Sequence, residues 1–172
     1  MSLIARLLRS RPDPREALRP LWHRVVEVSR ERAWYADCGV ADTMPGRFDM
    51  ITAVLALVLL RLERDDDRGA ESALLAELFV EDMDGQLRES GVGDIVVGKH
   101  IGKLMASLGG RIGAYREALA GKGEAAMAEA VRRNVTLNDG AEPLAVARRL
   151  RALADGLDDA AIPDILAGTV QR

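Results

Sequence analysis

A chain of 172 residues is long enough for one domain with its own core, and 48% apolar with 30% charged residues is a globular composition that excludes wholesale disorder. A formal charge of −3 and a pI near 5.5 exclude any whole-protein attraction to DNA or to an anionic membrane. One cysteine, Cys38, excludes an internal disulfide, and two histidines beside it make a poor zinc inventory, so no metal and no cofactor are expected.

Aromatic residues are only 3% of the chain while Ala and Leu dominate, so helix formers are plentiful and strand formers scarce. The expected fold is all-α: a compact multi-helix bundle in a single domain over 13–172, behind an N-terminal amphipathic segment over 1–12. In that segment Leu3, Ile4, Leu7 and Leu8 alternate with Arg6, Arg9 and Arg11, the pattern of a short surface helix or of a remnant targeting sequence.

Asp13, Pro14 and Glu16 form a helix start, with Asp13 as cap and Pro14 in the first turn. Leu18, Leu21, Trp22, Val25 and Val26 then recur at helical spacing, with Pro20 as a possible kink. Residues 38–46 carry loop chemistry and no strand pattern. From Arg47 to Arg64 the next helix is apolar on nearly every face, which places it at the centre of the bundle. Its apolar run, Met50 to Leu60, is about half the length needed to cross a bilayer. Asp65 to Asp67 and Gly69 end it. A helix over Glu71 to Glu89 follows through Leu75, Phe79, Met83 and Leu87. The turn Gly91 to Asp94 then opens a helix whose stripe is Val97, Ile101, Leu104, Leu108, Ile112, Tyr115 and Leu119, with an interruption expected at Gly109-Gly110. After Gly121 the chain reads as three shorter helices punctuated by Asn138-Asp139-Gly140, Pro143 and Pro163.

Three constellations have a chemical reading. Gly93 to Lys99 has the first part of a phosphate-binding loop, but His100 stands where a magnesium-ligating Ser or Thr belongs, and the segment follows a helix rather than a strand. A nucleotide-dependent enzyme is thereby the weaker alternative to a helix N-terminus with a buried face. Glu81, Asp82, Asp84 and Asp94 are oxygen ligands by type but lack calcium-loop spacing. Asp82 follows Leu78 and Phe79 onto the apolar side, where a carboxylate needs a partner, and Arg47, Arg88 and Arg111 are the candidates for a structural ion pair.

Gly98, Gly102, Ala106, Gly109 and Gly113 draw a strip of small residues along one helix face. Each glycine costs a helix about 1 kcal/mol relative to alanine, a cost that close backbone approach would explain. The strip admits either another helix of this chain or a hydrophobic client helix. Lys99, Lys103 and Arg111 lie on a neighbouring face. No catalytic triad or paired acid and base carboxylates are evident, and His23 and His100 are isolated.

The runs DTMPGRFDMI (Asp42 to Ile51), FVEDMD (Phe79 to Asp84), LRESGVGD (Leu87 to Asp94) and VGK (Val97 to Lys99), with Gly110-Arg111, Ala114-Tyr115 and Ala118-Leu119, closely resemble the ubiquinol-cytochrome c chaperone family. The resemblance spans about Trp34 to Leu119. It implies an all-helical, non-enzymatic assembly factor for the cytochrome bc1 complex of respiration, acting on newly made cytochrome b or another bc1 component, with a small partner protein in mitochondrial relatives. The implied location is cytoplasmic, peripheral at the inner face of the membrane. The motif residues carried over as client-binding or framework positions are Arg47, Asp49, Asp82, Asp84, Arg88, Asp94, Lys99 and Arg111, with Lys103 beside them. Gly109 departs from the pattern, since the family commonly has an aromatic there. An alternative is a structural or adaptor protein with a different partner.

Overall fold

The computed structural model describes residues 13–89, 94–121 and 123–169, with 87–89 and 94–100 as backbone only; the amphipathic segment 1–12 lies outside them. A 3-10 turn, Pro14–Leu18, is followed by α1 (Arg19–Ser29), α2 (Arg32–Ala36), α3 (Met44–Leu62), α4 (Gly69–Glu89), α5 (Asp94–Ala120), α6 (Ala125–Asn134), α7 (Pro143–Asp159) and α8 (Ile162–Leu166). The described residues contain no β-strand. Val40 and Leu137 form an isolated antiparallel bridge, and beside it the Ala41 amide donates to the Thr136 carbonyl at 2.9 Å.

The start of the domain is built as its residues dictate. The Asp13 carboxylate accepts from the Arg15 backbone N–H, and hydrogen bonds from the Arg15 side chain and then that amide lower its pKa to about 2. Pro20 does not kink a helix interior. It stands in the first turn of α1, where its missing N–H leaves no bond unmade.

Helix α3 is the centre of the bundle. Every residue from Asp49 to Leu60 is buried, and α1, α4, α5 and α7 pack around it. It begins at Met44, three residues before the expected start, because Thr43 caps it by accepting from the Gly46 amide and Pro45 suits its first turn. Phe79 of α4 is fully buried between Trp22 and Phe48, with ring centroids 6.1 and 6.4 Å away.

Helix α5 runs 27 residues without a break, about 40 Å, so the interruption expected at Gly109-Gly110 does not occur. Buried Leu108, Arg111, Tyr115 and Ala118 hold its inner face, and this tertiary packing offsets the poor helix propensity of the two glycines. At its C-terminus Arg151 donates to the Ala118 carbonyl at 2.8 Å, adding a positive charge to an end whose last turn has no basic residue. Pro143 and Pro163 lie in the first turns of α7 and α8, the punctuation their positions suggest.

Gly46 shows how tightly the loop before α3 is seated. A Cβ there would stand 2.0 Å from the Ala41 carbonyl oxygen, a backbone atom that cannot swing aside. Gly46→Ala is therefore expected to destabilise by about 1–3 kcal/mol, whereas Gly109→Ala, whose Cβ would meet nothing within 4 Å, should stabilise by up to about 1 kcal/mol. Urea denaturation of the two variants reads the opposite signs.

Candidate functional site

The motif residues divide into a buried group and a surface group. Asp49 and Arg111, 62 positions apart in sequence, meet where α3 crosses α5, and both are nearly inaccessible. One oxygen of Asp49 accepts from the Arg111 guanidinium. The other accepts from the Thr136 backbone N–H at 2.9 Å and the Thr136 hydroxyl at 2.7 Å. Arg111 also donates to Ser107 and, at 3.1 Å, to the Asn134 carbonyl at the end of α6, and its guanidinium lies 5.5 Å from the Phe48 ring centroid. Three segments distant in sequence are thus held by one charge pair in which both Asp49 oxygens are filled, while the Arg111 Nε–H is buried with no partner among the described residues. A buried ion pair is tolerated when such further hydrogen bonds satisfy most of its remaining groups.

Tyr115, one turn further along α5, is fully buried, and its hydroxyl has no hydrogen-bond partner among the described residues. Burial raises its pKa, so it stays neutral across the ordinary pH range. An unpaired buried hydroxyl costs free energy, and Tyr115→Phe removes it without changing the ring. The expected result in thermal denaturation is a melting temperature equal to or above that of the parent protein; a clear loss would reveal a bond, such as one to internal water.

The ion-pair candidates for Asp82 need correction. Arg111 serves Asp49, and Arg47, exposed at the start of α3, pairs with Asp42 at 2.7 Å. Asp82 is only partly buried on α4 and accepts from Gln86 one turn away at 3.3 Å. Asp84 is also partly buried on α4 and has a partner of its own. The side chains of Arg88, Asp94, Gly98 and Lys99 lie outside the described residues. The backbone from Asp94 onward is already helical, which removes the open loop that a phosphate cradle over Gly93 to Lys99 would need. Among the described residues no group of His, Cys, Asp and Glu side chains is placed to hold a metal ion. Cys38 is half-buried and free, and burial raises its thiol pKa.

Among the described residues the small-residue strip from Gly102 to Gly113 is uncovered. Gly102, Ala106 and Gly109 are exposed, and a Cβ at Gly102, Gly109 or Gly113 would meet nothing within 4 Å, so no described helix of the chain lies on this face. Lys103 is exposed beside it. Met105, on the same side, is one of two large apolar side chains exposed among the described residues; Met44 is the other. The described part of α5 therefore presents a smooth apolar track with a methionine and a lysine at its edge. Methionine suits such a face because its unbranched thioether adapts to different partners.

A second feature is absent from the expectations drawn from sequence. Between α1, α3 and α7 lies a cavity of 440 Å³ with an apolar wall and the charged groups Arg24, Glu31 and Arg149 in its lining. Arg149 donates to Glu31 at 2.5 Å and stacks 4.8 Å from the Trp34 ring centroid. Spacing along the chain gives no signal for it, because Arg149 and Trp34 are far apart in sequence and the apolar wall positions look like ordinary core.

The fold and these surfaces define a single compact all-helical domain wrapped around one apolar helix. The family model described as Ubiquinol-cytochrome C chaperone matches residues 36–171, and the chain belongs to that family. The match extends past Leu119 through α6, α7 and α8. Among solved structures, the crystal structure of the Cbp3 homolog from Brucella abortus is similar at 29% identity, with a TM-score of 0.79 over 98% of this chain and 95% of that one. No curated protein matches the chain significantly.

Proposed function

We propose that this protein is a non-enzymatic assembly chaperone of the cytochrome bc1 complex, and that it holds newly made cytochrome b through an apolar segment laid along the open face of α5. Family membership across 36–171 is the observation that carries the reading. The α5 face supplies a surface of the right chemistry. Small residues let a second helix approach closely, which is how helices of membrane proteins commonly pack, and Lys103 at the edge orients an acidic or carbonyl-rich partner. No helix among the described residues is long and apolar enough to cross a membrane.

The affinity required is modest. At about 25 cal/mol per Å² of apolar area, a few hundred Å² contributes several kcal/mol before ordering costs, enough for a client that must later be released. Asp49 and Arg111 act on this surface indirectly, by fixing α5 against α3.

The reading is tested by deleting the gene in the source cell and measuring assembled bc1 complex through its b-type haem absorbance. The expected result is a loss with cytochrome b transcripts unchanged, restored by the intact gene and not by one carrying Met105→Glu with Ala106→Glu. An unchanged bc1 content in the deletion strain contradicts the function. Full rescue by the double variant contradicts the α5 surface.

A further inference from the structure

A surface cavity of 460 Å³ is lined by Arg30, Arg32, Tyr35, Ala36, Asp42 and Arg47. Arg30 ends α1, Arg32 opens α2 and Arg47 is the fourth residue of α3, so three elements bring their arginines to one place. Tyr35 reports this convergence. Its hydroxyl donates to the Ser29 carbonyl at 2.8 Å, which fixes its ring in the wall. Burial raises the phenol pKa, while the charges of Arg47 and Arg30 pull it down and that of Asp42 pushes it up, so groups from both ends of the cavity act on the same side chain.

The charge in this lining does not cancel. Three guanidiniums stand with one carboxylate, which leaves two positive charges in excess. Among the described residues neither Arg30 nor Arg32 makes an ion pair. The neighbouring carboxylates are engaged elsewhere, Glu27 by Arg24 at 3.1 Å and Glu31 by Arg149 at 2.5 Å, and Asp37 at the end of α2 is outside the lining. Arg47 holds Asp42 at 2.7 Å, but the two side chains are 57% and 58% exposed, and a surface pair of this kind exchanges partners at little cost. Gathering like charges costs the fold self-repulsion, and Arg47 adds to it near the start of a helix, the end that favours negative charge. An anion in the cavity removes both penalties.

The number of arginines selects the anion. A carboxylate brings two oxygens and a single charge, so it leaves one guanidinium unserved and one positive charge over. A phosphate monoester carries about −1.5 to −2 charge at neutral pH and presents three strong acceptor oxygens, which matches three arginines and an excess of two. The planar fork of arginine suits phosphate oxygens in particular. We propose that this cavity binds a phosphate monoester, either a small soluble one or the headgroup of a lipid, with Arg30, Arg32 and Arg47 holding its terminal oxygens. The site shares no residue with the uncovered strip of α5 and stands whether or not the chaperone reading holds.

The test is calorimetric titration of the intact protein with glycerol 3-phosphate and with malonate at matched ionic strength, since both probes are small dianions and only one carries phosphate. One equivalent of glycerol 3-phosphate should bind saturably and at least fivefold more tightly than malonate. Arg30→Gln with Arg32→Gln should weaken binding at least tenfold at an unchanged melting temperature, because both side chains are exposed. Arg132→Gln with Arg133→Gln on α6 removes the same charge outside the lining and should leave binding intact. Sedimentation with phosphatidylcholine vesicles, with and without phosphatidic acid, separates the two sources. Retention on the phosphatidic acid vesicles that the Arg30/Arg32 variant loses and the α6 variant keeps makes the ligand a headgroup; ester binding without retention makes it soluble. The proposal is overturned if neither probe binds, if malonate binds as tightly as the ester, or if the α6 variant loses as much as the Arg30/Arg32 variant. Binding of an acidic peptide through these arginines, with both phosphate probes inert, also overturns it and makes the cavity a protein contact.

Discussion

Replacing Asp49 by alanine should lower the stability of the fold by about 3–5 kcal/mol, read as a shift of the urea midpoint at unchanged slope. The cost comes less from the lost attraction than from what remains. Arg111, 8% exposed, keeps its full charge with no carboxylate beside it, and both the Thr136 amide and hydroxyl lose their acceptor. A domain of this kind is stable by only about 5–15 kcal/mol, so the variant should show a measurable unfolded population at body temperature. Thr136→Val gives the calibration. It removes one hydroxyl bond and leaves the ion pair and the backbone bond in place, so its expected cost is about 1 kcal/mol. Equal losses in the two variants would show that the charge pair is not what holds α3, α5 and the end of α6 together.

Trp34→Ala is the second large effect, with an expected loss of about 3–5 kcal/mol. Trp34 is 1% exposed, its indole N–H donates to the Val28 carbonyl at 2.7 Å, and its face carries the Arg149 guanidinium. Truncation opens a void, removes the shorter of the two hydrogen bonds to that carbonyl, leaving the Glu31 amide at 3.3 Å, and releases Arg149 from the ring that positions it. Trp34→Phe should lose less, because it keeps most of the volume and the aromatic face while sacrificing the indole bond. Thermal denaturation of the pair separates packing from hydrogen bonding.

Much of the architecture is legible along the chain because it rests on short-range chemistry. The apolar run Met50 to Leu60 has no polar face to present to water, so α3 could only be central, and Asp13, Pro143 and Pro163 each mark a helix start by a local mechanism. Errors arise where local signals compete with tertiary contacts. Gly109-Gly110 reads as a break by propensity, and packing by Leu108 and Arg111 keeps it helical. The five residues of α2 are too few to carry a periodic pattern.

The candidate site was legible in part and for a different reason. Helical spacing puts Gly102, Ala106, Gly109 and Gly113 on one face whatever the fold, but only the packing of the other helices decides that the face stays open. The Asp49–Arg111 pair eluded spacing because ion-pair partners on different helices are chosen by how those helices cross. From sequence Arg111 is offered to Asp82 and not to Asp49, whereas among the described side chains Asp82 accepts from its own neighbour Gln86. The cavity at Trp34 depends in the same way on α1, α3 and α7 converging from distant parts of the chain.

The most direct measurement of the central claim is site-specific photocrosslinking in the source cell. A photoreactive amino acid is placed at Met105 on α5 and, as a control, at Asp139 in the turn before α7, each in an otherwise intact protein. A crosslink to newly made cytochrome b from position 105, absent from position 139, is the predicted result. No cytochrome b adduct at 105 while the protein still supports bc1 assembly, or equal adducts from both positions, would contradict the claim that the open face of α5 receives the client.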